Sequence, residues 1–412
     1  MEEDEARVLL AFAVVLLLAV LVSSLAHRTV LSTAALFLVA GFLLGEKTTG
    51  VLHLHADSPV VTAFAELALF AVLFTDGMRV GWQDLRSAWR LPGRALGWGL
   101  PLTLAITALL AHYIVGLPWP EALLLGAVLA PTDPVFAAAL VGNEKVPARL
   151  RQLLNVESGV NDGLALPFVI LFLGISQGSG DLHLDELGTE LAFGVAIGIA
   201  VPWLAIKLEQ SRFFSASAAY EPLNAFAIGL VVLGLAHSVH ANLFLAAFAA
   251  GVTVATFGPS QRKAFGEFGE LVAELLKLAA LLVFGALISL DFLGDIPWTG
   301  WVFAVLALLV VRPAALAISF IRSRLSPREQ LAAMWFGPKG FASVVYGLLV
   351  LESGIAEADT IFHLVALTIL LSVLAHSSTD TVIARSFDQQ SETPQWHEPP
   401  EPSRGADGTP GK

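Results

Sequence analysis

The chain has 412 residues, of which 56% are hydrophobic and only 14% are charged, and its formal net charge is −12. A soluble domain carries about 25% charged residues, so this composition excludes a soluble enzyme or a nucleic-acid-binding protein. The chain contains no cysteine, which excludes disulfides, thiolate metal sites and thiol redox chemistry. Apolar runs of about twenty residues recur and are long enough to cross a bilayer as helices. The sequence therefore predicts an all-α polytopic membrane protein.

Thirteen transmembrane spans are predicted in chain order. They lie at about 8–26, 30–45, 60–78, 95–115, 121–141, 152–175, 187–207, 222–239, 242–258, 271–289, 298–320, 330–351 and 360–381. The first run follows the acidic segment MEEDEAR, whereas a signal peptide begins with a basic segment, so we interpret it as a retained helix. Residues 1–7 then form a short extracytoplasmic tail, 8–385 one transmembrane domain, and 386–412 a disordered cytoplasmic tail.

The connectors between these spans alternate in charge. One set is rich in basic residues, for example between Arg79 and Arg94, whereas the opposite set has Lys47 as its only cation. Cytoplasmic loops of membrane proteins carry the excess of positive charge. We therefore predict a plasma-membrane protein with its N-terminus outside and its C-terminus in the cytoplasm. An odd number of spans also places the two termini on opposite sides.

Two spans are interrupted by helix-breaking residues. The fifth has Pro131 and Pro134 on either side of Thr132 and Asp133, and the twelfth has the sequence GPKG around Lys339. Proline removes a backbone donor and clashes with the preceding turn, so each span is predicted to unwind there. With the seventh span as linker, spans 1–6 and 8–13 form two halves of an inverted repeat, and the breaks occupy matching positions. Paired interruptions of this kind indicate the binding site of a transporter.

The sixth span, LNVESGVNDGLALPFVIL, carries polar residues where water is scarce. Helical geometry places Ser158 and Asp162 in one stripe, and Glu157 and Asn161 in the adjoining one. Because an ionisable group in hydrocarbon is costly, Asp162 is the foremost candidate for binding a cation and a proton in competition. Glu157 is expected to form a structural ion pair with Arg312, an otherwise unpaired guanidinium in the middle of span eleven.

Two other charged residues lie within or at the ends of spans. Asp76 lies near the inner end of span three, either as part of the site or as a solvated boundary residue. Lys277 follows Glu274 by three residues on span ten, and we interpret the two as a local helix pair.

Three motifs occur in order: APTDP on span five, VESGVNDG on span six, and a glycine-flanked basic residue on span twelve. Together they resemble the NhaP-type branch of the monovalent cation:proton antiporters, which includes the animal sodium/proton exchangers, over about residues 8 to 385. The resemblance implies a core domain with two unwound, crossing helices (spans 5 and 12) and a separate dimerisation domain, moving against each other like an elevator. It implies exchange of Na+, K+ or Li+ for H+ by a homodimer in the lipid bilayer, with no cofactor and no enzymatic reaction.

The resemblance also implies roles for the residues of the cation site. Asp162 is expected to carry the cation and the proton alternately, and Ser158 and Asp76 to help bind the cation. Thr132 is expected to contribute its backbone carbonyl. Asp133 is expected to act through water or a supporting hydrogen bond.

Four residues are expected to support the site. Asn161 is the structural partner beside it, and the glutamate–arginine bridge of the family falls on Glu157 and Arg312. The family commonly has GLRG on span twelve, whereas this chain has GPKG. Lys339 keeps the positive charge but lacks the planar fork of arginine, and it can deprotonate when buried. Asn161, in place of a second aspartate, suggests electroneutral exchange of one cation for one proton, which a titrating Lys339 would change.

Three other functions are weaker readings of the same residues. An organic-anion carrier on the same broken-helix fold needs cations at the centre, where this chain has mostly acids. An intramembrane aspartyl protease formed by Asp133 and Asp162 would resemble a GxGD pattern, whereas this chain has GVND. A cation channel needs a rotationally repeated filter, and the sequence contains no such repeat.

Overall fold

A computed structural model describes most of the chain, and its described residues form helices joined by short connectors. These residues are 3–26, 33–54, 58–79, 92–133, 140, 145–178, 184–211, 217, 220–323 and 325–388. Within them the only pairing of the β type is one isolated bridge between Gly45 and Leu52. Pro134, the basic connector 80–91 and residues 389–412 of the predicted tail lie outside the described residues.

The helices are numbered here in chain order. They are α1 (Glu3–Ala26), α2 (Thr33–Leu44), α3 (Pro59–Arg79), α4 (92–115), α5 (Trp119–Val128), α6 (Ala148–Ser176), α7 (Leu184–Glu209), α8 (Glu221–Ser238), α9 (Leu243–Phe257), α10 (Pro259–Leu287), α11 (Leu290–Asp295), α12 (Trp298–Ser319), α13 (Pro327–Trp335), α14 (Phe341–Glu352) and α15 (Ala358–Asp388).

Six of the described helices are by themselves long and apolar enough to cross a membrane. They lie within α3, α4, α6, α7, α12 and α15, and shorter apolar helices occur in α1, α2, α5, α8 and α14. The all-helical polytopic class is therefore confirmed, while the count of thirteen spans stays a prediction.

Span ten was predicted to begin near residue 271, but α10 begins at Pro259. It follows α9 after a bend of 115° at Gly258. The difference arises because the first turns of α10 carry Arg262, Lys263 and Glu270, which interrupt the apolar run without interrupting the helix. Similarly, α15 continues to Asp388, past the domain boundary predicted at 385.

The helices pack into two groups. The first group contains α1–α3 and α7–α10, in which α9 packs against α3 and α7, and α10 packs against α2, α3 and α8. The second contains α4–α6 and α12–α15, in which α5 packs against α4 and α6, and α15 packs against α12 and α14. Contacts of α6 and α14 with α3 join the two groups.

Glycines set how closely the backbones of the first group approach. A Cβ on Gly251 of α9 would lie 2.1 Å from the carbonyl oxygen of Phe74, and one on Gly77 of α3 would lie 2.4 Å from that of Phe248. Small residues permit this close backbone contact between membrane helices. The crossing fixes the position of Asp76, the residue before Gly77.

Candidate functional site

The two predicted breaks are present and contact each other. Helix α5 ends at Val128, and residues 129–133 that follow it are not helical; α13 ends at Trp335, and α14 begins only at Phe341. The amide of Asp133 donates to the carbonyl of Pro338 at 2.9 Å. Two unwound segments therefore meet inside the protein, where irregular backbone is tolerated because protein surrounds it.

Asp133 joins the first break to the start of α14. Its Oδ2 accepts a hydrogen bond from the amide of Phe341 at 3.3 Å, so the carboxylate lies at the positive end of that helix. Gly340 makes the approach possible, because a Cβ there would lie 2.0 Å from the Cβ of Asp133. The second break thus needs glycine at this position.

Asn161 ties α6 to the first break. Its side-chain amide donates to Oγ1 of Thr132 at 2.7 Å and to the Thr132 carbonyl at 3.3 Å. A carbonyl oxygen has two lone pairs, so the Thr132 carbonyl retains capacity for a second ligand. The structure therefore places Asn161 beside Thr132.

Asp162 lies one turn beyond Ser158 on α6, and both are buried. Within the described part of the chain, Oδ1 of Asp162 is buried without a hydrogen-bond partner. The residue's backbone carbonyl accepts from the hydroxyl of Tyr346 on α14 at 2.8 Å, which fixes the helix at this point. A buried carboxylate oxygen without a donor is costly unless it takes a proton or a cation.

Asp76 completes the acidic cluster from the other group of helices. It is 8% exposed, so it is not a solvated boundary residue, and it pairs with Arg79 at 3.2 Å. The charges of Asp76, Asp133 and Asp162 interact with one another and with that of Lys277. Three carboxylates from three separate elements thus share one buried region.

Glu157 and Arg312 form the expected ion pair. The guanidinium donates to both carboxylate oxygens of Glu157, at 2.7 and 3.0 Å, and to the carbonyls of Ala333 and Phe336. A Cβ on Gly337 would lie 2.0 Å from the guanidinium, so the second break also leaves room for Arg312. The bridge therefore joins α6, α12 and the end of α13.

Lys339 lies at the centre of the second break and is 2% exposed. Its backbone amide donates to Oγ of Ser372 on α15 at 2.8 Å, and that hydroxyl lies 3.1 Å from Nδ1 of His376. Its side-chain nitrogen is buried without a hydrogen-bond acceptor among the described residues. Hydrogen bonding thus fixes the backbone of Lys339 but not its side-chain nitrogen.

Sequence reasoning missed part of this site. Lys277 does pair with Glu274, at 3.3 Å, but it also lies 4.0 Å from Oδ2 of Asp133, so the local interpretation was incomplete. The available signal was a lysine within a predicted transmembrane span. Nothing in the sequence pointed to Tyr346, Ser372 or His376, whose contacts depend on packing between distant helices.

Buried oxygen atoms near the breaks include the carboxylates of Asp76, Asp133 and Asp162, the hydroxyl of Ser158 and the backbone carbonyl of Thr132. Hard cations take oxygen ligands of this kind. Within the described residues, no group of three or more His, Cys, Asp or Glu side chains is arranged to hold a metal ion. Because Oδ1 of Asp162 is buried without a hydrogen-bond partner among the described residues, this carboxylate can take one small cation or a proton.

Known proteins share this arrangement of helices. The model of a family described as "Sodium/hydrogen exchanger, transmembrane" matches residues 13–385. The K(+)/H(+) antiporter NhaP2 of Shewanella baltica is 25% identical over 382 residues, covering 89% of this chain and 64% of that protein. The K(+)/H(+) antiporter NhaP of Alkalimonas amylolytica is also 25% identical, covering 92% of this chain and 66% of that protein. This chain thus spans just under two thirds of the length of these relatives.

The fold is also that of a solved structure. The sodium proton antiporter MjNhaP1 from Methanocaldococcus jannaschii at pH 8 superposes with a TM-score of 0.76 at 20% identity, covering 93% of this chain and 98% of that one. Motifs, broken helices, family match and fold agree, and the chain belongs to the sodium/hydrogen exchanger family.

Proposed function

We propose that the protein is a secondary active antiporter that exchanges a monovalent cation for protons across the plasma membrane, with Asp162 holding each in turn. The observation that carries this proposal is Oδ1 of Asp162, buried without a hydrogen-bond partner beside two unwound helices. One carboxylate that binds either ion couples their movements, because occupancy by one excludes the other. The acidic character of the cluster and the family match favour this function over the organic-anion carrier.

The proposed cation ligands are Asp162, Ser158, Asp76 and the backbone carbonyl of Thr132, with Asp133 in a supporting role. The position of Asp133 against the amide of Phe341 supports an indirect role, because one of its oxygens is already engaged. The cation is proposed to be Na+ or K+, with Li+ as a third substrate. The relatives' names include both sodium and potassium, and selectivity depends on the cavity and its ligand field.

Exchange is proposed to be electroneutral, one cation for one proton. The support is Asn161, because a side-chain amide does not titrate and therefore adds no second acid beside Asp162. This amide instead donates to Thr132. Asn161, the Glu157–Arg312 bridge and the backbone of Lys339 are proposed to hold the site's geometry.

Alternating access is proposed to proceed by an elevator motion of the second group of helices against the first. The division of the packing into two groups, joined by contacts of α6 and α14 with α3, supports this motion. The first group would also form the contact of a homodimer. The two halves of an inverted repeat and the orientation, with the N-terminus outside and the C-terminus in the cytoplasm, remain part of this proposal.

The substitution Asp162→Asn tests the central assignment. We expect it to abolish cation-dependent proton movement while the protein still folds and inserts, because the amide cannot exchange a proton for a cation. The measurement is dequenching of a pH-gradient dye in everted vesicles on addition of NaCl, KCl or LiCl, with choline chloride as blank.

Asp291→Asn is a matched control, because it removes an exposed carboxylate on α11 that pairs with Lys47, and it should leave exchange unchanged. Cation-dependent proton movement of normal size in Asp162→Asn would refute the assignment of Asp162.

A further inference from the structure

Lys277 lies between two carboxylates that belong to different groups of helices. Its ammonium nitrogen is 3.3 Å from Oε2 of Glu274 on the same helix and 4.0 Å from Oδ2 of Asp133 at the first break. The Lys277 residue as a whole is 9% exposed, so little water screens its charge. Helix α10 packs in the first group, whereas Asp133 follows α5 in the second. The ammonium therefore links the two groups at the site itself.

Three charged residues on one face of α10 lead from the surface to this link. Glu270, Glu274 and Lys277 are separated by four and three residues, so they lie in one stripe of the helix. Their side-chain exposure falls from 52% to 39% to 11%. Glu274 is thus the outer acceptor for the ammonium of Lys277, and Asp133 is the inner one.

We propose that Lys277 is the counter-ion that the transported cation displaces. In the cation-free site its ammonium neutralises Asp133, and when the cation binds it turns to Glu274. This inference rests on the proposed function, cation/proton exchange at Asp162. Lysine suits the role because its three donors sit on a flexible four-carbon stem. Both acceptors already lie within 4.0 Å, so a side-chain rotation is sufficient.

A displaceable Lys277 explains how three buried carboxylates can lie near one another when no cation is bound. The charges of Asp76, Asp133 and Asp162 repel one another, and the charge of Lys277 offsets that repulsion. A bound cation offsets the repulsion in place of Lys277, and the ammonium of Lys277 then pairs with Glu274. Because Asp133 and Lys277 belong to different groups of helices, the same event removes an ion pair that holds the groups together.

The test compares Lys277→Gln, Glu274→Gln and the double variant. Without its resident competitor, Lys277→Gln should reach half-maximal exchange at a cation concentration lower by about tenfold, within the range of coupling between contacting residues. Glu274→Gln should require a higher concentration, by about threefold on the same grounds, because Lys277 loses its alternative acceptor. The double variant should match Lys277→Gln, since Glu274 acts only through the lysine.

Two controls separate displacement from a general change in charge. Lys277→Arg keeps the ion pair and should resemble wild type. Lys263→Gln removes an exposed cation from the same helix and should change the half-maximal concentration by less than about twofold, as for a surface charge.

A second readout measures binding without transport. The rise in melting temperature of the detergent-purified protein with NaCl or KCl, against choline chloride, should follow the same order among the variants. Additive shifts in the double variant, or equal affinities in Lys277→Gln and wild type, would overturn the inference. A wild-type protein that is stabilised by cations but moves no protons would contradict the proposed function instead.

Discussion

At the scale of single residues, Arg312 donates four hydrogen bonds close to the second break. Its planar guanidinium donates to two oxygens of Glu157 and to two carbonyls at the end of α13, and it is 6% exposed. Arginine suits this position because its donors are fixed in one plane. The bridge fixes where α13 stops, and with it the start of the second break.

Removing either partner of this bridge should destabilise the protein more than Asp162→Asn does. Glu157→Gln or Arg312→Gln should each cost about 3–5 kcal/mol, because the remaining buried charge is uncompensated. The double variant should recover part of the loss. Melting temperatures of the purified proteins measure this, and additive losses would mean that the two charges do not stabilise each other.

Lys339 is the residue whose deprotonation would make the proposed exchange electrogenic. If it only supplies positive charge to the break, wild type and Lys339→Arg should both be electroneutral. We expect this outcome because Asn161 removes the second acid. Exchange in liposomes at an imposed membrane potential measures it. Arginine cannot deprotonate, so wild-type exchange that accelerates with the potential, and loses this dependence in Lys339→Arg, would establish a titrating Lys339.

At the scale of elements, the two breaks complement each other in hydrogen bonding and in shape. The first supplies an amide to Pro338 and a carboxylate to the amide of Phe341, and the second supplies the space that Gly340 leaves. The first amides of any helix lack intrahelical partners, so α14 needs an acceptor at its start. Asp133 provides one, and each break therefore helps to determine the geometry of the other.

Gly340→Ala should separate the two breaks and abolish exchange. Its Cβ would lie 2.0 Å from that of Asp133, so the backbone must shift, at a cost of about 1–3 kcal/mol for overpacking. Vesicle dequenching and melting temperature measure the two effects. Gly174→Ala on α6, where a Cβ meets nothing within 4 Å, is the matched control and should be neutral. Normal exchange by Gly340→Ala would show that the breaks tolerate displacement.

At the scale of the whole molecule, the proposed cation site lies between two groups of helices. Asp76 and Lys277 belong to the first group, and Asp133 and Asp162 to the second. In the proposed elevator motion, sliding of one group past the other would change which side of the membrane reaches the site. That motion would also require contacts between the groups to break in each cycle.

A covalent link between the groups should therefore stop exchange. Thr62 of α3 donates to Glu352 of α14 at 2.5 Å, and the chain has no native cysteine, so Thr62→Cys with Glu352→Cys places two thiols on neighbouring helices for a cleavable bis-methanethiosulfonate cross-linker. Exchange should be lost on cross-linking and restored by reduction. Asn224→Cys with Glu209→Cys, treated with the same reagent, joins α8 and α7 within the first group and should leave exchange intact. Equal activity in both cross-linked pairs would contradict relative motion.

The amino-acid sequence by itself determined the features that follow from local chemistry. The helical membrane class follows from apolar runs, and the two breaks follow from prolines that cannot donate to a helix. The pairing of Glu157 with Arg312 was predictable because Arg312 lay alone in the middle of an apolar span and needed a carboxylate partner. Thirteen spans, the orientation and the transport roles remain predictions of the same reasoning.

Only the tertiary structure decided which distant groups meet. Asp133 reaches Phe341, Asn161 reaches Thr132, and Lys277 reaches Asp133 as well as Glu274. The three-residue spacing from Glu274 already provided a charge partner for Lys277, so no local feature of the sequence predicted a second one. Such contacts depend on how closely backbones pack, and glycine crossings set that distance among helices far apart in the chain.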